Sequence, residues 1–298
     1  MKQETVNDLI NKAFAIEEIS PKDAGTIGFM GRALAQATMP HKKQKTNEFV
    51  RKNGILTLTM LAPSNVGLPY GSIPRLLMMW LTTEAVRTKE RELVLGKTLR
   101  EFMGQLGLQS TGGRWGSITA LKEQMRRLFS ASISCHYAEN YRESGLNLQI
   151  AEDYQLWWDP KSPDQLSLWE SNVTLGTKFF NEIINNPVPL DMRVIKAIRR
   201  SPMALDMYCW LTYRMSYLRT RTNIPWPMLQ TQFGADYGVN EQGVRDFKRA
   251  FMRELKKIYL FYPDVKLEFW EHGISLLPGK SHIPPKKTGA KVLATEAT

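Results

Sequence analysis

Apolar and polar residues recur along the chain at two spacings, which predict a mixture of helices and strands. Near the start, five apolar residues follow the helical spacing i, i+3, i+4, i+7 and i+8: Val6, Leu9, Ile10, Ala13 and Phe14. Residues 54–61 alternate Leu and Met with Thr, as a half-buried strand does. The basic stretch PHKKQKTNEFVRKNG over residues 40–54 lies between them and predicts an exposed loop or arm.

One order of elements occurs twice between residues 72 and 278. The first copy has an apolar helix containing Trp80-Leu81-Thr82, a short strand, a helix from Thr98, a glycine turn and a helix over about residues 115–130. The strand-like run SISCHY follows. Thr98 and Glu101 have the spacing of a capping box, so Thr98 predicts the start of its helix.

The second copy begins at Ser201-Pro202, a residue pair typical of a helix N-terminus. Its first helix contains Trp210-Leu211-Thr212, and its second ends at Gln232-Phe233-Gly234. Asn240 is placed to cap the third helix. The run LEFWEHGISLL then predicts two strands around a tight turn at His272-Gly273.

This order of elements is that of a winged helix, which is a helix-turn-helix extended by a β-hairpin. The predicted fold is α+β, mainly α, with two tandem winged-helix domains. The predicted divisions are an N-terminal extension of helix, basic arm and strand (1–60), a first domain (61–170), a second domain (171–278) and a disordered basic tail (279–298).

The third helix of the second copy, GVRDFKRAFMRELKKI over residues 243–258, has two distinct faces. One face is apolar and contains Val244, Phe247, Phe251, Leu255 and Ile258. The other is cationic, with Arg245, Lys248, Arg249 and Lys256 together and Arg253 and Lys257 on its flank. Alone, this pattern fits any solvated amphipathic helix. As the third helix of a helix-turn-helix unit, it predicts a surface that binds DNA through Arg245, Lys248, Arg249, Arg253 and Lys256.

The third helix of the first copy repeats the pattern more weakly. Its apolar residues are Ile118, Leu121, Met125, Leu128 and Phe129, and its other face holds Trp115, Thr119, Lys122 and Arg126 after a preceding Arg114. Two interpretations stay open at this point. The helix is a second DNA-binding element, or its domain mainly contacts proteins, including a second copy of the chain.

Charge strengthens the nucleic-acid interpretation. The 298 residues include 40 Lys and Arg against 29 Asp and Glu, a formal net charge of +11, which indicates a polyanionic partner such as nucleic acid or an anionic membrane surface. Segment 193–260 has thirteen basic and five acidic residues, a net charge of +8. Segment 139–170 has two basic and seven acidic residues, a net charge of −5.

Local motifs do not favour an enzyme. Leu95-Gly96-Lys97-Thr98 resembles a phosphate-binding loop, but Arg91 occupies the position where that motif needs its first glycine. Tyr137, Tyr141 and Tyr217 are available for tyrosine-dependent nicking of DNA, without a histidine pair for its metal. The expectation is therefore no catalytic residue, no cofactor and no metal site.

The two cysteines and the Trp157-Trp158 pair are interpreted from their sequence context. Cys135 and Cys209 lack metal-ligand spacing and predict buried free thiols in a reducing compartment. With no signal sequence or membrane-spanning run, the expected location is cytoplasmic. The Trp157-Trp158 pair either closes a core or forms a patch for a partner.

Five segments resemble the RepA-type plasmid replication initiators over about residues 65–278. They are GLPYGSIPRLLMMWLTTEAVRT, TGGRWGSITALKEQMRRLFS, WESNVTLG, SPMALDMYCWLTYRMSYLR and QFGADYGVNEQGVRDFKRAF. The resemblance implies binding to repeated sites (iterons) in double-stranded origin DNA, local opening of that DNA, and recruitment of the host initiator, helicase loader and helicase. It also implies a homodimer, control of plasmid copy number and, in many relatives, repression of their own gene. A winged-helix transcriptional regulator without initiator activity is the alternative.

Overall fold

The computed structural model describes residues 6–114, 116–139, 141–159, 161–166, 170–234 and 236–284. Trp115 and residues 285–298 of the predicted tail lie outside the described residues. The helices are α1 (Val6–Glu17), α2 (Arg32–Gln36), α3 (Ser72–Thr88), α4 (Leu99–Gln105), α5 (Ser117–Phe129), α6 (Thr177–Asn185), α7 (Met192–Ile198), α8 (Pro202–Tyr217), α9 (Trp226–Phe233) and α10 (Glu241–Phe261).

The strands of the described residues form four sheets. They are β1 (Ile27–Gly31), β2 (Glu48–Asn53), β3 (Leu56–Leu61), β4 (Glu92–Val94), β5 (Ser132–Glu139), β6 (Arg142–Gln149), β7 (Ala151–Gln155), β8 (Asn172–Leu175), β9 (Pro187–Asp191), β10 (Thr222–Pro225), β11 (Leu267–Trp270) and β12 (Gly273–Leu276). All of the pairings are antiparallel.

The predicted helix starts are confirmed because each depends on a contact within a few residues. The Ser201 hydroxyl accepts a hydrogen bond from the Ala204 amide at 3.2 Å, with Pro202 as the first residue of α8. The Asn240 side chain accepts from the Gly243 amide at 2.9 Å at the start of α10. Thr98 caps α4, and the Glu101 carboxylate accepts from the Lys97 amide, one residue earlier than a capping box requires.

The two copies share a helix order and a sheet order. In the second unit, α8, β10, α9, α10, β11 and β12 follow one another, and β12 lies between β10 and β11. In the first unit, α3, β4, α4 and α5 are followed by a sheet in which β8 lies between β4 and β7. The duplicated arrangement of helices and strands is therefore present in the fold.

One strand of the first copy has a different role from the one expected. The run SISCHY does form a strand, β5, but its hairpin with β6 joins β2 and β3 in a separate four-stranded sheet with the order β2-β3-β5-β6. The strands that correspond to the hairpin of the second unit are β7 and β8. The β5–β6 hairpin is thus an insertion between the third helix and the sheet of the first unit.

The described part of the N-terminal extension is integrated into both units. β1 pairs with β9, a strand 156–164 positions later in the sequence, from Ile27 opposite Asp191 to Gly31 opposite Pro187. β2 and β3 complete the four-stranded sheet, while α2 packs against α8 and α1 against α10. The predicted limits of the domains stay a prediction, but these contacts make residues 6–60 part of the framework.

The core extends through both units and contains the predicted tryptophans. Trp80 and Trp210 are buried in the middle of α3 and α8. Trp158 packs on Phe102 with ring centroids 5.1 Å apart, whereas Trp157 keeps 48% of its surface exposed. The two members of the tryptophan pair therefore differ, since only Trp158 helps to close the core.

Both cysteines are buried free thiols, as predicted. Burial raises the pKa of Cys135 to about 11 and raises that of Cys209 as well, so both thiols remain protonated near neutral pH. No helix among the described residues combines the length and apolar character needed to cross a membrane.

Residues 279–284 pack against the body, so the predicted tail starts later than residue 279. His282 Nδ1 lies 2.7 Å from the Tyr208 hydroxyl, and its ring stacks on Tyr262 at 4.7 Å. Ile283 is 4% exposed. Burial lowers the pKa of His282, which keeps this contact neutral.

A buried ion pair joins the two units at their central helices. Arg75 of α3 donates from Nε and Nη2 to the two carboxylate oxygens of Asp206 in α8, each at 2.7 Å. Its remaining hydrogen bonds go to the carbonyl oxygens of Met39, Pro40 and Gly71. His41 Nε2 lies 2.7 Å from Asp206 Oδ2. The cluster thus holds α3, α8 and the chain around residue 40 together.

Removal of the Asp206 carboxylate is expected to destabilise the fold strongly. Asp206→Ala leaves Arg75 buried without its counter-ion, which costs about 3–5 kcal/mol of unfolding free energy. The matched control is Glu268→Ala, because the Arg221–Glu268 pair is as short, at 2.8 Å, but about half exposed. The control should cost less than about 1 kcal/mol. Equal losses in urea denaturation would contradict this role of the buried pair.

Stability should also fall in mild acid because of His41. Burial is the strongest influence and lowers the pKa of His41 below 6.5; the hydrogen bond to Asp206 opposes this, and the charge of Arg75 adds to it. Below pH 6.5 the unfolded chain therefore binds a proton that the folded chain resists, so the free energy of unfolding decreases as pH falls. Urea denaturation above and below pH 6.5 measures this decrease in the free energy of unfolding. The decrease should be smaller for His41→Gln than for the wild type. Parallel losses would show that His41 does not titrate in this way.

Candidate nucleic-acid interface

Helix α10 buries the predicted apolar face and exposes the predicted cationic one. Phe247, Phe251, Leu255 and Ile258 are almost fully buried, and Val244, the fifth predicted residue of this face, is half-buried. Phe251 packs against Trp226 and Phe233 of α9, with ring centroids 5.8 and 5.9 Å away. The aromatic packing fixes the rotation of α10 about its axis, and this rotation directs the cations outward.

The three arginines of this face are exposed and paired with carboxylates of their own helix. Arg245 reaches Glu241 at 2.8 Å, Arg249 reaches Asp246 at 3.6 Å and Arg253 reaches Glu254 at 2.9 Å. Their side chains remain 64%, 77% and 64% exposed. The carboxylates paired with Arg245 and Arg249 are exposed as well, and such pairs contribute about 0–1 kcal/mol, so these two arginines can exchange the carboxylate for a phosphate or a base edge at little cost. The carboxylate paired with Arg253 belongs to the buried Glu254.

The two lysines of the face differ from the arginines. Lys248 Nζ lies 5.3 Å from the centre of the Trp226 ring, a cation–π contact with the first residue of α9. Lys256 is exposed and has no ion pair within the described residues. Sequence reasoning did not assign Trp226 to the site, although its position at the start of the second helix places it beside the third.

Glu254 is a buried carboxylate that the sequence pattern did not reveal. It is 3% exposed and accepts hydrogen bonds from Arg253 Nε at 2.9 Å and Lys257 Nζ at 2.8 Å. Burial alone would raise its pKa, but the hydrogen bonds from Lys257 and Arg253 outweigh burial and lower it. Glu254 therefore stays ionised and holds Lys257 against the helix, away from the cations that face outward.

Helix α5 of the first unit also shows the predicted division. Ile118, Leu121 and Met125 are buried, while Lys122 and Arg126 are exposed. The Thr119 hydroxyl donates to the Gly113 carbonyl at 3.0 Å and so helps to fix the preceding turn. Arg114 is exposed in that turn. The structure thus brings these residues to one surface.

An acidic connection between β7 and β8 lies over part of this surface. Leu156 and Trp158 line a small cavity together with Leu99 of α4 and Lys122 of α5. Arg100 donates from its amide to the Pro163 carbonyl at 3.0 Å and pairs with Asp164 at 2.7 Å. In the second unit, the corresponding β11–β12 connection is a two-residue turn. The first unit therefore places an acidic side chain, Asp164, beside its helices where the second unit has only a short turn.

The described residues contain no group of three or more His, Cys, Asp and Glu side chains that suits a metal ion. His41 forms a hydrogen bond with Asp206, and His282 forms one with Tyr208. Tyr217 accepts a hydrogen bond from Arg214 Nη1 at 2.7 Å, and burial raises the pKa of Tyr137 to about 12.

Comparison with known proteins supports the resemblance found in the sequence. The sequence model of a family described as "Plasmid encoded RepA protein" matches residues 68–227, more than half of the chain and up to the start of α9. No curated protein matches the sequence.

Two solved structures are similar in fold. A crystal structure of selenomethionine derivatives of domains 2 and 3 of RctB has a TM-score of 0.52 at 11% identity, covering 89% of this chain and 99% of that one. A crystal structure of the RctB domains 2–3 has a TM-score of 0.48 at 12% identity, covering 82% and 94%. The first shows a shared fold along most of both chains.

Two neighbouring lysines of α10 offer a matched test of the cationic face. Lys256→Ala removes an exposed cation without an ion pair in the described residues, and should flatten the log–log salt dependence of DNA binding by about 0.9. Lys257→Ala removes a cation held by Glu254 and should change this slope much less. Fluorescence anisotropy with a labelled duplex over a range of salt concentrations measures both. Equal slopes for the two variants would contradict the orientation described for α10.

Proposed function

The chain belongs to the family of plasmid-encoded RepA proteins, and from this premise we propose that it initiates plasmid replication by binding repeated sites in origin DNA. The observation that carries the proposal is the open cationic face of α10, with Arg245, Lys248 and Arg249 near its start. This face lies in the most basic part of the chain and directly follows the α9–α10 turn.

We further propose that each unit is a winged helix. The shared element order and the shared sheet order, β4-β8-β7 and β10-β12-β11, support this assignment. In a helix-turn-helix, the second of the two helices lies in the major groove with its N-terminal residues at the base edges. Arg245 and Arg249 then read bases, since arginine pairs bidentately with guanine, while Arg253 and Lys256 hold phosphates.

The first unit has a smaller direct role in DNA binding in this proposal. The acidic connection between β7 and β8 lies next to Lys122, where Leu156 and Trp158 line a small cavity, and places Asp164 beside Arg100. DNA approaching this side would meet a carboxylate as well as cations. Contact with a second copy suits this unit better, and the largely exposed edge strand β6 offers unpaired backbone groups for it.

The remaining parts of the proposed function follow from the family resemblance. They are opening of DNA next to the bound repeats, recruitment of the host initiator, helicase loader and helicase, and control of copy number through the monomer–dimer balance. We propose that the chain itself catalyses no reaction, needs no cofactor or metal, and acts in the cytoplasm. The dispersed positions of its histidines and cysteines support the absence of catalysis.

A transcriptional regulator that only represses its own gene is the second candidate. The same helices would suffice for it, because repression requires DNA binding alone. The two candidates differ in whether a plasmid that carries the origin depends on the protein for its maintenance.

The double variant Arg245→Ala with Lys248→Ala should lose protection of origin DNA in footprinting and fail to maintain an origin plasmid in trans. Loss of the Arg245–base contact alone is expected to cost about 1–3 kcal/mol. The control is Lys122→Ala with Arg126→Ala, which removes the same charge from α5 and should weaken binding less.

The wild type should protect repeated sites at a regular spacing. An unchanged footprint for the α10 variant would show that another surface reads the DNA. Plasmid maintenance without any protein would favour the regulator instead.

A further inference from the structure

The loop between α2 and β2 carries three exposed lysines, Lys42, Lys43 and Lys45, that no assigned function includes. Within the described residues, none of the three forms an ion pair with a carboxylate. The arginines of α10 are each paired within their own helix. The loop therefore holds positive charge that the neighbouring protein leaves uncompensated.

The loop is fixed at its start by the buried ion cluster. His41 lies 2.7 Å from Asp206, and the Pro40 carbonyl accepts from the Gly71 amide and from Arg75 Nη1, each at 3.1 Å. Lys42 follows directly after these anchored residues. Its backbone is thus held in place while its side chain stays in solvent.

The loop also contacts the turn between α9 and α10. Gln44 Nε2 donates to Asp236 Oδ1 in that turn at 3.3 Å. Lys43 and Lys45 flank Gln44, so their Cα atoms lie about 3.8 Å from its Cα. Asp236 accepts this hydrogen bond from Gln44 and, within the described residues, forms no ion pair with the three lysines.

Two further contacts hold the flanks of the loop against the end of α9. The Thr38 hydroxyl donates to the Gln232 carbonyl at 3.1 Å, and Arg51 Nη1 donates to the Thr231 carbonyl at 3.3 Å. Thr38 lies in the loop before the three lysines, and Arg51 follows the loop in β2. Because α9 leads directly into the turn before α10, these contacts place the loop beside the N-terminal end of α10.

We propose that Lys42, Lys43 and Lys45 bind phosphates of the DNA backbone beside the groove that α10 enters. This rests on the proposed function, and adds to it a contact from a segment distant in sequence. The N-terminal residues of a recognition helix face the base edges, so cations beside them face the flanking phosphates. Anchoring at both ends reduces the ordering cost that a mobile arm would incur on binding.

The test compares two triple variants with the same change in charge. The loop variant is Lys42→Asn, Lys43→Asn and Lys45→Asn. The control is Lys89→Asn, Lys161→Asn and Lys178→Asn, three exposed lysines on or next to elements of the first unit. Anisotropy is measured over a range of salt concentrations with a labelled origin duplex and with a scrambled duplex, because phosphate contacts do not depend on sequence.

The loop variant should flatten the log–log salt slope by about 2.7 on both duplexes, since each phosphate contact contributes about 0.9. The control should flatten the salt slope by less than one phosphate contact contributes, which is about 0.9. A loop variant with Lys→Arg at all three positions should retain the wild-type slope, because the charge is preserved. Melting curves should be unchanged, because all of the substituted side chains are exposed.

The outcomes separate this inference from the proposed function. If the loop and control variants give the same slope, the loop does not bind phosphate, whereas origin binding by α10 stands. If the loop variant loses plasmid maintenance but keeps its salt slope, the lysines bind an acidic protein and the inference is wrong. If the wild type binds neither duplex, both the inference and the proposed function are wrong.

Discussion

The buried pair of Arg75 and Asp206 is the contact on which the arrangement of the two units depends. Both charges are inside the protein, so neither side chain can leave the other without a large desolvation penalty. The two central helices share the tripeptide Trp-Leu-Thr, which begins at Trp80 and at Trp210. Arg75 lies five residues before Trp80, and Asp206 lies four residues before Trp210. The pair therefore connects nearly equivalent levels of α3 and α8.

Other contacts between the units are arranged around this pair. Arg75 also donates hydrogen bonds to the carbonyls of Met39 and Pro40. These residues lead into the segment with Lys42, Lys43 and Lys45, which continues into β2. From there Thr38 and Arg51 reach the end of α9. Residues 38–51, which lie outside both duplicated units, are thus anchored by the Arg75–Asp206 pair and contact the end of α9 in the second unit.

What the sequence predicts depends on the distance over which an interaction acts. The capping side chains of Ser201 and Asn240 each bond an amide only three positions later, so these helix starts could be predicted from the local sequence. The cationic face of α10 was equally accessible, because helical spacing fixes which residues share a face. The Arg75–Asp206 pair spans 131 positions, and no local pattern marks either residue. Burial of Glu254 was missed for a related reason, since a carboxylate in a cationic helix is normally solvated.

The choice of strand partners also lay beyond the sequence pattern. A strand at SISCHY was predicted, but only the fold shows that β5 and β6 join β2 and β3 and leave β7 and β8 to complete the sheet of the first unit. The β5–β6 insertion is thus one difference between two units that share an order of elements. Lys122 and Leu99 of the first unit line a cavity covered by Trp158, whereas Lys248 of the second lies over Trp226 within its own helix pair. Lys122 is nevertheless exposed and Lys248 half-buried, so the two units differ in what packs beside these cations: an acidic connection in the first unit and an aromatic ring of the preceding helix in the second.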